Sequence, residues 1–281
     1  MLKQRIITAL VLLALLLPAL FAAPPEPLAL LTLMLMSAAS WEWGRLNGLG
    51  FRPALILMCF CLMLCAASWW AGWAFQAPPA LWWAAGLGWL IGGTWMLRRG
   101  VLGWGLWPLV ARWVGGILVL WLTWLALCQS KHMGANYLLS VLALVWVADV
   151  AAYFGGRAFG RRKLASNISP GKSWEGVLSG VLAVFLLAFI WLALDARQAT
   201  WSPSVFSLLA QHSVVWSIMG VALLVGVSVM GDLAESLVKR SAGVKDSSAL
   251  LPGHGGVLDR VDALLPTLPL ALMLVQAGVT P

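Results

Sequence analysis

Apolar runs, each near the roughly 20 residues that a helix needs to cross a hydrocarbon core, recur along the whole length of this 281-residue chain. The bilayer is therefore the relevant solvent, and the useful count is of spans. Composition agrees: 62% of the residues are hydrophobic and 10% charged, where a soluble domain carries about a quarter charged. An ordinary soluble domain, a disordered chain and a disulfide scaffold are excluded. The runs lie at about 6–22, 27–44, 53–75, 80–97, 101–128, 137–156, 176–194, 213–232 and 261–279, which predicts an all-α polytopic bundle of about nine transmembrane helices. Glu42 and Arg45 limit the second run; the fifth carries Arg112 and Gly115-Gly116, and its first part can lie in the interface instead.

Lysine and arginine test this count, because a wrong one would scramble their alternation between the two sides of the membrane. With nine spans, 15 of the 18 basic residues fall on one side, Lys131 and Arg197 on the other, and Arg112 within a span. The N-terminus is thus expected in the cytoplasm. A net charge of +8 could suggest nucleic acid, but these cations lie between apolar runs and encode topology, so no nucleic-acid partner is expected. Lys3 and Arg5 precede the first run as in a signal peptide, yet Phe21 and Ala23 fit a cleavage site poorly, and a retained span is expected. Cys59, Cys61, Cys65 and Cys128 lie in apolar runs and read as buried hydrophobes. Fourteen of the 19 tryptophans fall between Trp41 and Trp124, many near span ends; an interfacial belt is the expected use. Eight of the ten acids lie from Asp149 onward. Residues 1–136 therefore read as a scaffold of about five spans and residues 137–281 as the catalytic region.

Three polar segments stand out in that second region. Asp149 lies inside a span, a costly position that by default suggests function, and shares a helix face with Tyr153; a purely structural inter-helix bond is the competing reading. The loop 157–172 carries five basic residues and ends in Ser169-Pro170-Gly171-Lys172-Ser173-Trp174-Glu175-Gly176, a turn, a cation and a hydroxyl just before a helix, whose N-terminus offers free N–H groups to phosphate. The P-loop spacing fails, because Ser166 stands where its first glycine belongs. The third segment runs from Gly231 to Asp262. If the eighth helix continues past the membrane edge, Asp232, Glu235, Ser236 and Lys239 form one polar stripe. Asp259 and Asp262 are three apart at the start of the ninth helix, where the helix dipole favours carboxylates. A solvated charge run is the bland alternative; it weakens because several of these charges abut apolar spans. Carboxylates suit Mg²⁺, and lysine and arginine suit phosphate oxygens, so the mixture matches a metal-bound nucleotide.

The stretch Ser236-x-x-Lys239-Arg240-x(4)-Lys245-Asp246-x(5)-Pro252-x-His254-Gly255-Gly256-x-x-Asp259-Arg260-x-Asp262 closely resembles the signature of phosphatidate cytidylyltransferases, also called CDP-diacylglycerol synthases. The segments at Asp149–Arg157 and Ser169–Gly176 are similar to that family's other polar segments. Gly171 stands where a basic residue is frequent and Ser173 where threonine is. The resemblance covers roughly residues 137–281. It implies an integral membrane nucleotidyltransferase, with CTP and phosphatidate as substrates and Mg²⁺, with room for a second cation, as cofactor. Carried over by position, Asp232 and Asp259 would be metal ligands. Lys239, Arg240, Lys245, Asp246, His254, Arg260 and Asp262 would be catalytic, and Asp149, Lys172, Ser173, Glu175 and Ser236 would bind substrate. A bacterial inner-membrane location, an active site facing the cytoplasm and a homodimer accord with this reading. A CTP-dependent lipid kinase is the neighbouring alternative, and an ion-coupled transporter using Asp149 and Asp232 is one of a different class.

Overall fold

The computed structural model describes residues 2–198 and 201–277; positions 278 and 279 of the ninth expected span, and the side chains of Lys3 and Arg5, lie outside the described residues. The helices are α1 (Leu2–Phe21), α2 (Glu26–Leu46), α3 (Phe51–Trp70), α4 (Pro79–Leu87), α5 (Thr94–Gly105), α6 (Leu109–Met133) and α7 (Ala135–Phe159), followed by α8 (Trp174–Arg197), α9 (Val205–His212), α10 (Val214–Ser241), α11 (Leu258–Val261) and α12 (Leu264–Ala277). A π-helical turn, Gly88–Gly93, joins α4 to α5. Among the described residues five helices, α3, α6, α7, α8 and α10, are long and apolar enough to cross a membrane. The other expected spans fall on α1, α2, the α4–α5 pair and α12. The fifth run divides: α5 ends at Gly105 and α6 begins at Leu109, after Pro108.

The outside of the bundle is as apolar as its inside. On α8 the buried residues Gly176, Gly180, Val184 and Ala188 recur every fourth position, while Leu178, Leu182, Leu186 and Phe189 are exposed. Such a surface is stable only in lipid. α12 lies at the centre, buried from Leu264 to Val275 and packed on α4, α6 and α10. Lys131 of α6 donates to the carbonyls of Leu20 and Ala22, both at 2.7 Å, and so holds the end of α1.

The bundle is helical, as expected, and the loop before α8 adds an antiparallel hairpin of β1 (Lys163–Ala165) and β2 (Ser169–Ser173), with Lys163 opposite Ser173. One expectation is corrected: the tryptophans are not all a belt. Trp82 and Trp124 are fully buried, and Trp104 and Trp121 nearly so. Neighbours supply an acceptor for the indole N–H of three of them: Trp124 donates to the Ala29 carbonyl at 3.1 Å, Trp121 to Ser68 Oγ at 2.8 Å and Trp104 to Asn47 Oδ1 at 3.0 Å, while Trp82 Nε1 has none among the described residues. An indole is mostly apolar with one donor, so a single acceptor lets it serve as core.

Candidate active site

The site begins with a close helix pair. A Cβ on Gly176 of α8 would lie 2.7 Å from the Ala152 carbonyl oxygen of α7, and one on Gly180 2.9 Å from that of Ala148. Small residues at four-residue spacing on both helices permit this backbone approach. It brings Asp149 to the root of the hairpin, and the hairpin delivers Lys172. Lys172 Nζ is 2.5 Å from Asp232 Oδ2 of α10, and Ser236, one turn on, donates to Asp232 Oδ1 at 3.3 Å. Asp149 is within electrostatic range of Lys172 and Asp232. Asp262 faces Asp232, Lys239 and Lys172 in the same sense, because α12 comes close to α10 at Gly231, where a Cβ would lie 2.8 Å from Pro266 Cδ. The Asp232 side chain keeps 29% of its surface exposed and is thus open to a ligand.

A second group lies one turn along α10. Lys239 Nζ is 2.5 Å from both Glu235 Oε2 and Asp259 Oδ1. The Glu235 contact is an ion pair by distance only: neither of its oxygens has a partner at hydrogen-bonding angles among the described residues. Asp259 is fully engaged. Its Oδ2 accepts from the Ser247 N–H at 2.9 Å, the Ser247 hydroxyl at 2.8 Å and the Gly256 N–H at 2.8 Å. Burial opposes its ionisation, but the Lys239 ammonium and the two N–H groups outweigh burial and hold the carboxyl at about 2.

Glu42 of α2 completes this group, and the sequence reading placed it in the scaffold. Its carboxylate is fully buried. It accepts from the hydroxyls of Ser247 at 3.2 Å and Ser248 at 2.5 Å, and from the N–H groups of Val257 at 2.9 Å and Leu258 at 2.7 Å. The loop 242–257 and the first turn of α11 are thereby tied to the N-terminal half. The available signal was an ionisable residue inside an apolar run, the same signal that singled out Asp149.

Other expected site residues have local work. Arg240 donates to the carbonyls of Ile168 at 3.4 Å and Val244 at 3.3 Å, linking hairpin, helix and loop. Nε and Nη2 of Arg260 both donate to the His254 carbonyl, while buried His254 Nδ1 has no hydrogen-bond partner among the described residues. Ser173 caps α8 by accepting from the Gly176 N–H at 3.2 Å, which leaves its hydroxyl proton to donate. Glu175 accepts from the N–H groups of Arg161 and Arg162 and shapes the hairpin entrance. Lys245 and Asp246 are exposed on the loop.

Among the described residues no three His, Cys, Asp or Glu side chains form a metal cage. Mg²⁺ needs none, since it is commonly held by one or two carboxylates with waters and substrate phosphates. Asp232, whose side chain stays open, fits it as a hard oxygen donor; Asp259 is a donor of the same kind, and a metal there would take the place that Lys239 Nζ holds at 2.5 Å from its Oδ1.

A helical membrane bundle that gathers carboxylates and ammonium groups at its helix ends defines a membrane protein equipped for phosphate chemistry. A sequence profile of the cytidylyltransferase family matches residues 3–277, and the chain belongs to that family. It is 39% identical to the phosphatidate cytidylyltransferase of Pseudomonas aeruginosa over 295 aligned positions, covering 99% of this chain and 98% of that protein. Against the phosphatidate cytidylyltransferase of Haemophilus influenzae the identity is 35%, with 96% of each chain covered. The Brucella suis phosphatidate cytidylyltransferase is 40% identical over 159 positions, 57% of this chain and 53% of that one.

Proposed function

We propose that the protein transfers the cytidylyl group of CTP to phosphatidate, releasing pyrophosphate and forming CDP-diacylglycerol. The observation that carries this beyond family membership is the pairing of Lys172 with Asp232 and of Lys239 with Asp259 at the ends of apolar helices. Anion-binding and cation-binding groups alternate there, as two phosphate-bearing substrates and a metal require. A phosphatidate phosphate oxygen attacks the α-phosphorus of CTP in line; the new P–O bond forms as the bond to the β-phosphate oxygen breaks, and pyrophosphate leaves. The nucleophile is already anionic, so no strong general base is needed. Lys172, Lys239 and Arg240 are assigned to the phosphates, where fixed cations stabilise the charge that develops on the leaving group. His254 Nδ1, buried and unpaired, is assigned to contact substrate rather than to remove a proton. Asp232 and Asp259 would hold Mg²⁺, which when bound offsets the repulsion between two anionic substrates. Asp149, Ser236 and Asp262 orient that cluster.

The same reading takes the bundle as nine spans, N-terminus and active site on the cytoplasmic side of a bacterial inner membrane, with no nucleic-acid partner; a homodimer is the assembly we favour. Membranes holding the protein, given phosphatidate and CTP labelled at the α-phosphate, should produce radiolabelled lipid. Lipid labelled from the γ-phosphate instead would identify a kinase, and no labelled lipid from either would sink both enzymatic readings. In purified, folded protein, Asp232→Asn should lower turnover by at least about a hundredfold with little change in melting temperature.

A further inference from the structure

We propose that the groove between α4, the π turn, α5, α6 and α10 receives an acyl chain of the lipid substrate, and that Gly88, Gly92 and Gly115 limit the chain it accepts. The groove has a volume of about 300 Å³, and among the described residues Glu235 is the one charged residue on its wall. Its inner end is made by Gly231, Glu235 and Leu258. Each of these adjoins the charged cluster: Gly231 precedes Asp232, Glu235 meets Lys239 at 2.5 Å, and Leu258 precedes Asp259. At the other end the lining residues Ala84, Gly88, Gly115 and Leu118 are exposed, beside the outward-facing Leu87, Ile91 and Val114. The groove therefore runs from the polar cluster to the lipid-facing surface. An amphiphile with its phosphate at the cluster has its chain directed along it.

The glycines make the space. A Cβ on Gly88, Gly92 or Gly115 would meet nothing within 4 Å, whereas one on Gly86 would meet Met273 and one on Gly116 Trp43. Among the described residues no side chain fills the volume above the first three. A chain entering from the bilayer leaves surroundings as apolar as the groove, so entry is driven by packing contacts and the groove discriminates by exclusion. This inference rests on the reading of the protein as a phosphatidate cytidylyltransferase.

Leucine at Gly92 and, separately, at Gly115 would project an isobutyl group into the groove. With CTP and either dilauroyl or dipalmitoyl phosphatidate in mixed micelles, kcat/KM for the dipalmitoyl over the dilauroyl lipid should fall about tenfold in each variant. A measurable rate with the dilauroyl lipid shows the variant to be folded. An unchanged ratio in folded variants would overturn the inference and leave cytidylyl transfer intact; absence of transfer by the unsubstituted protein with every lipid would remove the underlying reading instead. Labelling of the unsubstituted protein is independent of variant folding. A phosphatidate with a diazirine at its chain end should mark Trp89, Met96 or Leu118, and unlabelled phosphatidate should displace it. The inference fails if the mark falls in the 170 Å³ groove between α1, α2 and α7, whose lining includes Arg260, or if a mark in the proposed groove resists displacement, which would indicate a resident lipid.

Discussion

Single residues decide how charge survives at the ends of these helices. Lysine–carboxylate contacts at 2.5 Å join residues 60 positions apart in the case of Lys172 and Asp232, and 20 apart for Lys239 and Asp259. Neither partner is marked as such by its neighbours in the chain. The identities of the charged residues were legible in the sequence because a charge beside an apolar run is costly and stands out; their pairing was not. Glu42 shows the limit most clearly. It was visible as an acid that shortens the second run, yet its four donors lie more than 200 residues away. Removing it leaves two buried N–H groups and the Ser248 hydroxyl without their acceptor, each costing about 1 kcal/mol or more, while the Ser247 hydroxyl keeps Asp259. Glu42→Ala should therefore destabilise the protein by about 3 kcal/mol and abolish most activity, seen as a lower melting temperature and a faster hydrogen exchange at Val257 and Leu258. Exchange at those amides unchanged from the parent would show that Glu42 does not hold the loop.

At the scale of elements, the contact between α7 and α8 sets where Asp149 and Lys172 meet. The sequence marked Gly176 only as the end of a motif and did not single out Gly180. Their role follows from the carbonyls of Ala152 and Ala148 lying under 3 Å from where a Cβ would be. Gly180→Val would force these helices apart, at a cost of about 1–3 kcal/mol for overpacking, and would move the hairpin relative to α10. We expect a lower melting temperature and a KM for CTP raised several-fold; unchanged values for both would mean that the helix pair tolerates the added bulk and does not position the site. The hairpin itself was hidden because its strands are only three and five residues long, too short for an alternating pattern to emerge from Ser-Pro-Gly-Lys-Ser.

In the whole molecule the two halves are less separate than the asymmetry of the acids suggested. α4 and α6 pack on α12, α5 packs on α10, and Glu42 anchors the loop 242–257. Residues 137–281 expressed alone should insert in membranes but lack cytidylyl transfer, and co-expression with residues 1–136 should restore it; transfer by the isolated second half would show that the first half is dispensable scaffold. The sequence by itself determined that the chain is a helical membrane protein, where charges interrupt its apolar runs, and which family it resembles. Those properties are local: an apolar run and a misplaced charge each carry their cost wherever the rest of the chain goes. Only the tertiary structure decided that lysines 172 and 239 face different carboxylates, that Glu42 joins the charged cluster, that four of the clustered tryptophans are core, and that three glycines face open space. Each depends on how closely two helices approach, and that distance is set by packing across the bundle rather than by any stretch of sequence within it.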